Sequence, residues 1–530
     1  GQEIQMKRRL RILLSRFTLV ALTIIALFLA GFLVVAGAFY LLKLILEAVF
    51  VSGAEWIDLI FRAVGWIVVV ATAIHIINRN MMPEAKVLWL LCIVAFNAFG
   101  VAIYAVFSYN RPSRRQRKKF LALKEEAHKF TRPTLSKEEL VSGMGRWAAV
   151  SRALYTKNEH AVVYRGTDTK YYPTGEDFFR HFLFDLQRAK KYIFLEYFII
   201  EYGVMWGTVL DILKAKAAEG VEVRVLYDDI GSMGYVRAGY YKYLRKQGIK
   251  CYKFNPFVPV VSNFHNNRDH RKIAVIDGQV AYTGGINLAD EYINVKQPYG
   301  NWKDTAVRLE GEGAKSLLFM FLRFWDLCSG ETEDFSRFLP EESGVRGEGF
   351  VQPYSDGPIP LYGRHLGEDL YINILSVAEK YVWIMTPYLI LDYRMREALV
   401  SAAARGVDVR IVVPHIPDKK TAFALTRSNY MALIKGGVKI YEYLPGFVHA
   451  KSFLSDDEAS VVGTINLDYR SLMHHYENAV FMYRTAANAE LKADYEATFK
   501  KCALQTEEDA KKSVVWRGMC EILKAFAPLF

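Results

Sequence analysis

Cysteine is scarce and unpatterned. The 530 residues hold five, Cys92, Cys251, Cys328, Cys502 and Cys520, scattered and odd in number. None has metal-ligand spacing and the set suggests no disulfide framework, so the thiols read as inert and buried or as kept reduced. No His, Cys or acidic cluster with metal spacing stands out, and the sequence calls for no metal and no other cofactor. A basic strip interleaved with aromatics, which single-stranded nucleic acid requires, is also missing. The net charge is +12, which favours anionic partners. The apolar segments favour acidic lipid over nucleic acid as that partner.

Charge itself is absent over long stretches. Phe17 to Leu42 is 26 uncharged residues, and Val87 to Asn110 is 24. A shorter apolar run, starting near Trp56, continues between Arg62 and Arg79. Each long run can span a bilayer. The first exceeds the apolar core of a signal peptide, so it reads as a retained anchor, with Met6 as the natural start and residues 1–5 as a remnant. Arg79-Asn80-Met81-Met82-Pro83-Glu84 reads as a tight hairpin. Three spans put the two ends on opposite sides. Yet Lys7, Arg8, Arg9, Arg11 and Arg16 precede the first run, and Arg111, Arg114, Arg115, Arg117, Lys118 and Lys119 follow the third. The positive-inside rule wants both clusters in the cytoplasm, and an interfacial or re-entrant segment reconciles them. The expectation is a multi-pass membrane protein with the part that follows the apolar runs on the cytoplasmic face.

From about Thr131 the composition is that of an α/β protein, and it repeats. Ala189-Lys190-Lys191-Tyr192-Ile193-Phe194-Leu195 matches Ala378-Glu379-Lys380-Tyr381-Val382-Trp383-Ile384, and Glu219-Gly220-Val221-Glu222-Val223-Arg224-Val225 matches Arg405-Gly406-Val407-Asp408-Val409-Arg410-Ile411. The short apolar runs read as buried parallel strands, with Gly220, Gly406 and Gly437 at helix ends. The expected organisation is a membrane region over 1–110 with two to three helices, a basic linker over 111–136, a first lobe over 137–330, a linker over 331–358, a second lobe over 359–507 and an amphipathic helix over 508–530. That last helix suits either a membrane surface or docking onto the core. The aromatic stretch Tyr252 to Val261 reads equally as a lip that meets acyl chains or as packing between lobes.

Within this repeat lies its most specific element. His270-Arg271-Lys272 with Asp277 recurs as His449-Ala450-Lys451 with Asp456, and Asn287 and Asn466 each follow their histidine by 17 residues. A His-x-Lys-x4-Asp pattern is expected by chance roughly 0.03 times in a chain this long; two copies with the same downstream Asn are not chance. Imidazole serves as nucleophile or proton carrier near neutral pH. Lys places a compact positive charge beside phosphoryl oxygens, and Asn donates without adding charge. In an extended strand His and Lys two apart share a face. Such a set suits a phosphodiester. Each imidazole needs a carboxylate to orient it; Asp304, 34 residues after His270, and Glu477, 28 after His449, lie in similar settings.

These residues resemble the phospholipase D superfamily, whose signature is this motif used twice, and within it the bacterial cardiolipin synthases. The resemblance extends through Asn267-Arg268-Asp269-His270, Gly284-Gly285-Ile286-Asn287, Trp302-Lys303-Asp304, Thr386-Pro387-Tyr388, Pro445-Gly446-Phe447 and Asn466-Leu467-Asp468-Tyr469-Arg470-Ser471. It implies two similar α/β lobes with mixed sheets facing one active site. It also implies phosphatidyl transfer between two phosphatidylglycerol molecules with loss of glycerol. By that analogy His270 is the nucleophile, forming a phosphohistidine, and His449 the general acid and then base; the near-symmetric motifs do not fix the order. Lys272, Lys451, Asn287 and Asn466 would bind the phosphoryl group, and Asp304 and Glu477 orient the histidines. Asp277 and Asp456 complete the catalytic motifs, though both end buried runs and suit a structural role too. A phospholipase D hydrolase, or transfer to another alcohol, is the alternative; a nuclease of the same superfamily and a silent membrane scaffold fit less well.

Overall fold

The computed structural model describes residues 54–108, 114–131, 135–157, 161–257, 267–341, 344–358, 361–362 and 365–526, with Gly37, Tyr40, Leu41, Leu44 and Ile45. The apolar run Phe17 to Leu42 thus lies almost wholly outside the described residues. The chain divides into two compact units, residues 1–111 with 257–265, and residues 112–256 with 266–530.

The described part of the first unit is a helix pair, Ala54–Asn78 and Pro83–Phe107. Within it Leu59–Asn78 (mean hydropathy 2.1) and Pro83–Ala105 (2.2) are long and apolar enough to cross a bilayer. The turn falls where the sequence places it, with Pro83 opening the second helix, where a missing N–H costs nothing. Arg79 closes the hairpin by donating to Tyr104 Oη (3.1 Å) and to the Ser108 carbonyl (3.0 Å). Ile76, Trp89, Ile93 and Tyr104 pack between the helices. Leu59, Val64, Trp66, Ile67, Ile74, Leu91 and Val94 stay exposed. A pair this apolar on its outer faces is suited to hydrocarbon rather than water.

The second unit contains two mixed sheets. The first has seven strands in the order Asp168–Tyr172, Ala306–Glu310, Val280–Gly284, Ile273–Ile276, Tyr192–Tyr197, Glu222–Asp228, Lys250–Phe254. The second repeats that order as Phe350–Asp356, Glu477–Tyr483, Ala459–Gly463, Ser452–Ser455, Tyr381–Met385, Asp408–Pro414, Lys439–Tyr443, and adds Tyr164–Arg165 at one edge and Cys502–Leu504 at the other. In both, the last three of the seven are parallel and the rest antiparallel. The nearly continuous apolar runs follow from burial on both faces. One core joins the sheets around the helix Ala314–Ser329, whose Leu317, Phe321, Phe324 and Trp325 are buried.

Two stretches differ from their sequence reading. The basic linker contains a helix, Arg114–His128, whose Phe120, Leu123 and Ala127 are buried; three apolar residues on one stripe suffice to dock it, despite its charge. The stretch 331–358 ends in the strand Phe350–Asp356, paired to Glu477–Tyr483. The charges, glycines and prolines of the stretch as a whole gave it the composition of a linker. Tyr252 and Phe254 belong to a strand and pack on Trp325 and Phe324; Val258 to Val261 lie outside the described residues. The C-terminal helix Val514–Phe526 docks on the helix Lys420–Ser428 through Cys520 and Lys524, leaving Val515, Met519 and Ile522 exposed.

Candidate active site

Each His-x-Lys segment leads into a central strand of its sheet, at Ile273 or Ser452. His270 and Lys272 thus precede the ladder rather than lying in it. Each segment is held instead by a parallel pairing to the other half. Gly446–Val448 pairs with Asn301–Lys303, and Asp269 with Tyr476. The His449 N–H donates to the Lys303 carbonyl (2.7 Å) and the His270 N–H to the Tyr476 carbonyl (2.9 Å).

This pairing crosses the carboxylates over. His270 Nδ1 lies 2.9 and 3.0 Å from the two oxygens of Glu477, and His449 Nδ1 lies 2.6 Å from Asp304 Oδ2. Each histidine is oriented by the acid that linear spacing associates with the other motif. An ionised carboxylate only accepts, so beside Glu477 the His270 Nδ1 carries the proton and its Nε2 is left with its lone pair. Both acids are fully buried. The Thr464 hydroxyl also donates to Glu477 Oε2. At Gly285 an added Cβ would lie 2.1 Å from Asp304 Oδ1, so only glycine leaves that carboxylate its place. Lys272 Nζ donates to the His270 carbonyl at 2.5 Å and Lys451 Nζ to the His449 carbonyl, which brings both ammonium groups beside the imidazoles.

Burial governs the charges. Desolvation holds His270 well below its ordinary pKa against the pull of Glu477. It lowers His449 as well, and Lys451 and Lys272 add to that. Lys272 is brought down to about 8 and Lys451 to about 7 by the same desolvation, opposed by Glu477 and Asp304 respectively. The acids part company. Burial lifts Asp304 to about 7, opposed by Lys451. For Glu477 burial is outweighed by the attraction and hydrogen bond of His270, and it stays below the usual carboxylate range. The first pair is therefore a neutral imidazole donating to an ionised carboxylate, while the second shares a proton near neutrality.

The other candidates have partners of their own. Asp277 accepts from the backbone N–H groups of Lys190, Lys191 and Tyr192. Asp456 accepts from those of Glu379, Lys380 and Tyr381 and pairs with Arg146 at 2.8 Å. Both sit in turns after the central strands with positive φ, 50° and 56°. Their carboxylates are spent on backbone, which corrects their grouping with the catalytic residues. Asn287 is committed within the protein at both ends, accepting from Ile199 N and donating to Tyr292 Oη. Asn466 donates to Asp468 Oδ2 (3.0 Å), and its Oδ1 has no partner among the described residues.

Sequence reasoning missed several groups. Arg268 forms a buried ion pair with Asp228 (2.8 Å). Arg271, between His270 and Lys272, reaches Glu196 (2.5 Å) and Asp269 (3.2 Å) and lies 3.4 Å over the Phe324 ring. These charges anchor the segment carrying the nucleophile candidate. A third histidine, His475, packs on His270. His270, His475 and Glu477 bring their ligand atoms within 4.8 Å of one another, a spacing that could hold a metal ion and that linear spacing does not reveal. Lys272 already supplies positive charge there, which suits an anionic ligand. The available signal was alignment: His475 stands two residues before Glu477, as Trp302 does before Asp304.

The family profile described as "Cardiolipin synthase, PLD-like domain" matches residues 183–299 and 371–502. An uncharacterized protein of Streptococcus mutans is 43% identical over 464 residues, covering 87% of this chain and 100% of that one. The cardiolipin synthase of Alkalihalophilus pseudofirmus is 35% identical over 430 residues, 81% of this chain and 85% of that one. Among solved structures, phosphatidylserine synthase of Haemophilus influenzae aligns with a TM-score of 0.55 at 14% identity, covering 72% of this chain and 97% of that one. That likeness bears on the fold alone.

Proposed function

The chain belongs to the cardiolipin synthase family of the phospholipase D superfamily, and on that premise we propose that it joins two phosphatidylglycerol molecules into cardiolipin with release of glycerol. It is a phosphatidyltransferase. His270 Nε2 attacks the phosphorus of the first lipid. The bond from phosphorus to the headgroup glycerol breaks, and the Asp304–His449 pair, in its protonated form, gives that oxygen a proton through His449 Nε2. In the second step a hydroxyl of the other phosphatidylglycerol attacks phosphatidyl-His270, its proton goes to His449, and the N–P bond breaks. Lys272 and Lys451 stabilise the charge on the phosphoryl oxygens. The observation that carries this reading is the pair of imidazoles, each held through Nδ1 by a buried carboxylate of the other half.

The division of roles follows the two acids. A nucleophile must be neutral and a proton carrier must titrate near the working pH. His270 beside ionised Glu477 suits the first task; His449 beside Asp304, at about 7, suits the second. Apolar helices at the N-terminal end hold the enzyme in a bacterial cell membrane as a multi-pass protein. The basic clusters then favour a cytoplasmic catalytic face.

Product analysis tests this. The purified protein receives phosphatidylglycerol alone, and lipids are read by mass spectrometry. Cardiolipin with equimolar glycerol is the expected result. Phosphatidic acid as the only product would make the protein a hydrolase.

A further inference from the structure

The asparagines that follow the two motifs end in different surroundings. Asn287 is closed. Its Oδ1 accepts from Ile199 N (3.0 Å) and its Nδ2 donates to Tyr292 Oη (2.7 Å). Asn466 donates instead to Asp468 Oδ2 (3.0 Å), where the first half has Ala289. Ala289 and Asp468 are equivalent: each precedes a short helix in the same extended conformation, φ −146°, ψ 154° and φ −140°, ψ 161°. In the same alignment Ser471 stands at the position of Tyr292. It is too short to replace the phenol that closes Asn287.

Asp468 fixes which way the Asn466 amide points. Its Oδ1 accepts from Ser471 N (2.9 Å) and its Oδ2 from Asn466 Nδ2. An ionised carboxylate takes only donors, so the amide turns its NH2 toward Asp468 and its carbonyl oxygen away. That oxygen is buried with no hydrogen-bond partner among the described residues, and so is Ser471 Oγ. Asn466 is 6% exposed and Ser471 2%. Buried polar atoms are ordinarily paired, so two orphans about one carboxylate are unusual. Both adjoin the catalytic cluster. Gly463 N donates to the Lys451 carbonyl (3.2 Å), so the chain from Thr464 leaves the sheet beside the His449 segment. Thr464 reaches Glu477, and the charge of Asp468 acts on the Lys451 ammonium.

An unpaired acceptor selects a donor. In phosphatidylglycerol the phosphoryl and acyl-ester oxygens only accept, and the headgroup hydroxyls alone can donate. We propose that Asn466 Oδ1, together with Ser471 Oγ, is a specificity-determining seat for the middle hydroxyl of the glycerol headgroup, the one next to the reacting oxygen. The inference rests on the proposed cleavage and transfer at phosphorus. The middle hydroxyl is present in both steps, on the glycerol that leaves and on the phosphatidylglycerol that attacks. It donates to Asn466 Oδ1 and keeps its proton throughout. One seat thus aligns the leaving and the attacking oxygen for proton exchange with His449. Asn287, closed by Ile199 and Tyr292, offers no matching oxygen, so the first half has no second seat of this kind.

The test is a competition between two headgroups. Full-length protein receives vesicles holding equal amounts of phosphatidylglycerol and phosphatidyl-1,3-propanediol, which lacks only the middle hydroxyl. The early ratio of glycerol to 1,3-propanediol released, read by mass spectrometry, is the ratio of the two kcat/KM values. Release is common to transfer and hydrolysis, so it does not depend on which product forms. Wild type is compared with Asn466→Leu and Ser471→Ala; the second removes an atom that makes no hydrogen bond within the described residues and so spares the fold. Wild type should favour glycerol release, and the preference should fall about 3–10-fold in each variant, as one hydrogen bond to the hydroxyl is lost. Equal release of the two alcohols by wild type, or a preference unchanged in whichever variant folds, overturns the proposal. Phosphatidic acid as the sole product would remove the synthase reading and leave this comparison intact.

Discussion

The first and second halves of the catalytic unit share a seven-strand order, a His-x-Lys segment and a cross-paired carboxylate, yet the surroundings of their imidazoles differ. On the His270 side stand Glu477, the Thr464 hydroxyl, His475 and the buried Arg271. On the His449 side stand Asp304, Gly285, Trp302 and, in place of Arg271, Ala450. Duplication supplies two imidazoles, which the proposed two-step transfer uses in turn. Desolvation lowers both rings, and what differs is the acid: Glu477 stays below the usual carboxylate range and Asp304 is lifted to about 7.

The strongest way to break the comparison is to delete either ring. His270→Ala or His449→Ala is expected to lower kcat by at least about 10²–10⁴-fold, read as glycerol release. Loss of His449 should still permit slow formation of a covalent lipid adduct, whereas loss of His270 should abolish it. Next come the cations. Lys272→Met and Lys451→Met should each cost about 10²–10³-fold in kcat, since each removes a charge that stabilises the phosphoryl oxygens.

The acids sharpen the contrast. Glu477→Gln and Asp304→Asn should each cost about 10–10²-fold through misorientation, but with different pH signatures. In wild type the Asp304–His449 pair loses its extra proton as pH rises through about 7, which removes the acid for the leaving glycerol. Lys451 and Lys272 lose their protons as pH rises through about 7 and about 8, which adds to the same alkaline limb. The kcat/KM profile should therefore fall as pH rises above about 7. Asp304→Asn should remove its part of that limb, and Glu477→Gln should leave that part in place.

Smaller effects test the frame. Gly285→Ala forces a Cβ toward Asp304 Oδ1 and should destabilise by about 1–3 kcal/mol, with a drop in kcat smaller than that of Asp304→Asn. Asp277→Ala removes three backbone contacts far from the imidazoles. It should lower thermal stability by about 1–3 kcal/mol and leave kcat per folded molecule unchanged, measured below the melting transition.

Much of this was legible in the sequence. The repeat predicted two similar sheets because buried strands carry apolar runs whatever their neighbours. The duplicated motif predicted both imidazoles and both lysines. What it could not express is adjacency between halves. Spacing ties Glu477 to His449 and Asp304 to His270, and the fold exchanges them because each loop pairs with a segment of the opposite half. Asp277 and Asp456 recur for a reason that spacing alone does not separate from chemistry, namely a backbone-binding turn. The helix Arg114–His128 was hidden by its charge and the strand Phe350–Asp356 by the linker composition of the stretch that contains it. His475 was hidden because alternation and motif matching say nothing about which rings lean on one another.

The central claim is the division of labour between His270 and His449. It is tested most directly by rapid mixing of the enzyme with phosphatidylglycerol, quenching in alkaline denaturant and mapping the adduct by peptide mass spectrometry. A phosphatidyl group is expected on the peptide containing His270. An adduct on His449, or cardiolipin accumulating with no adduct on either histidine, would contradict it.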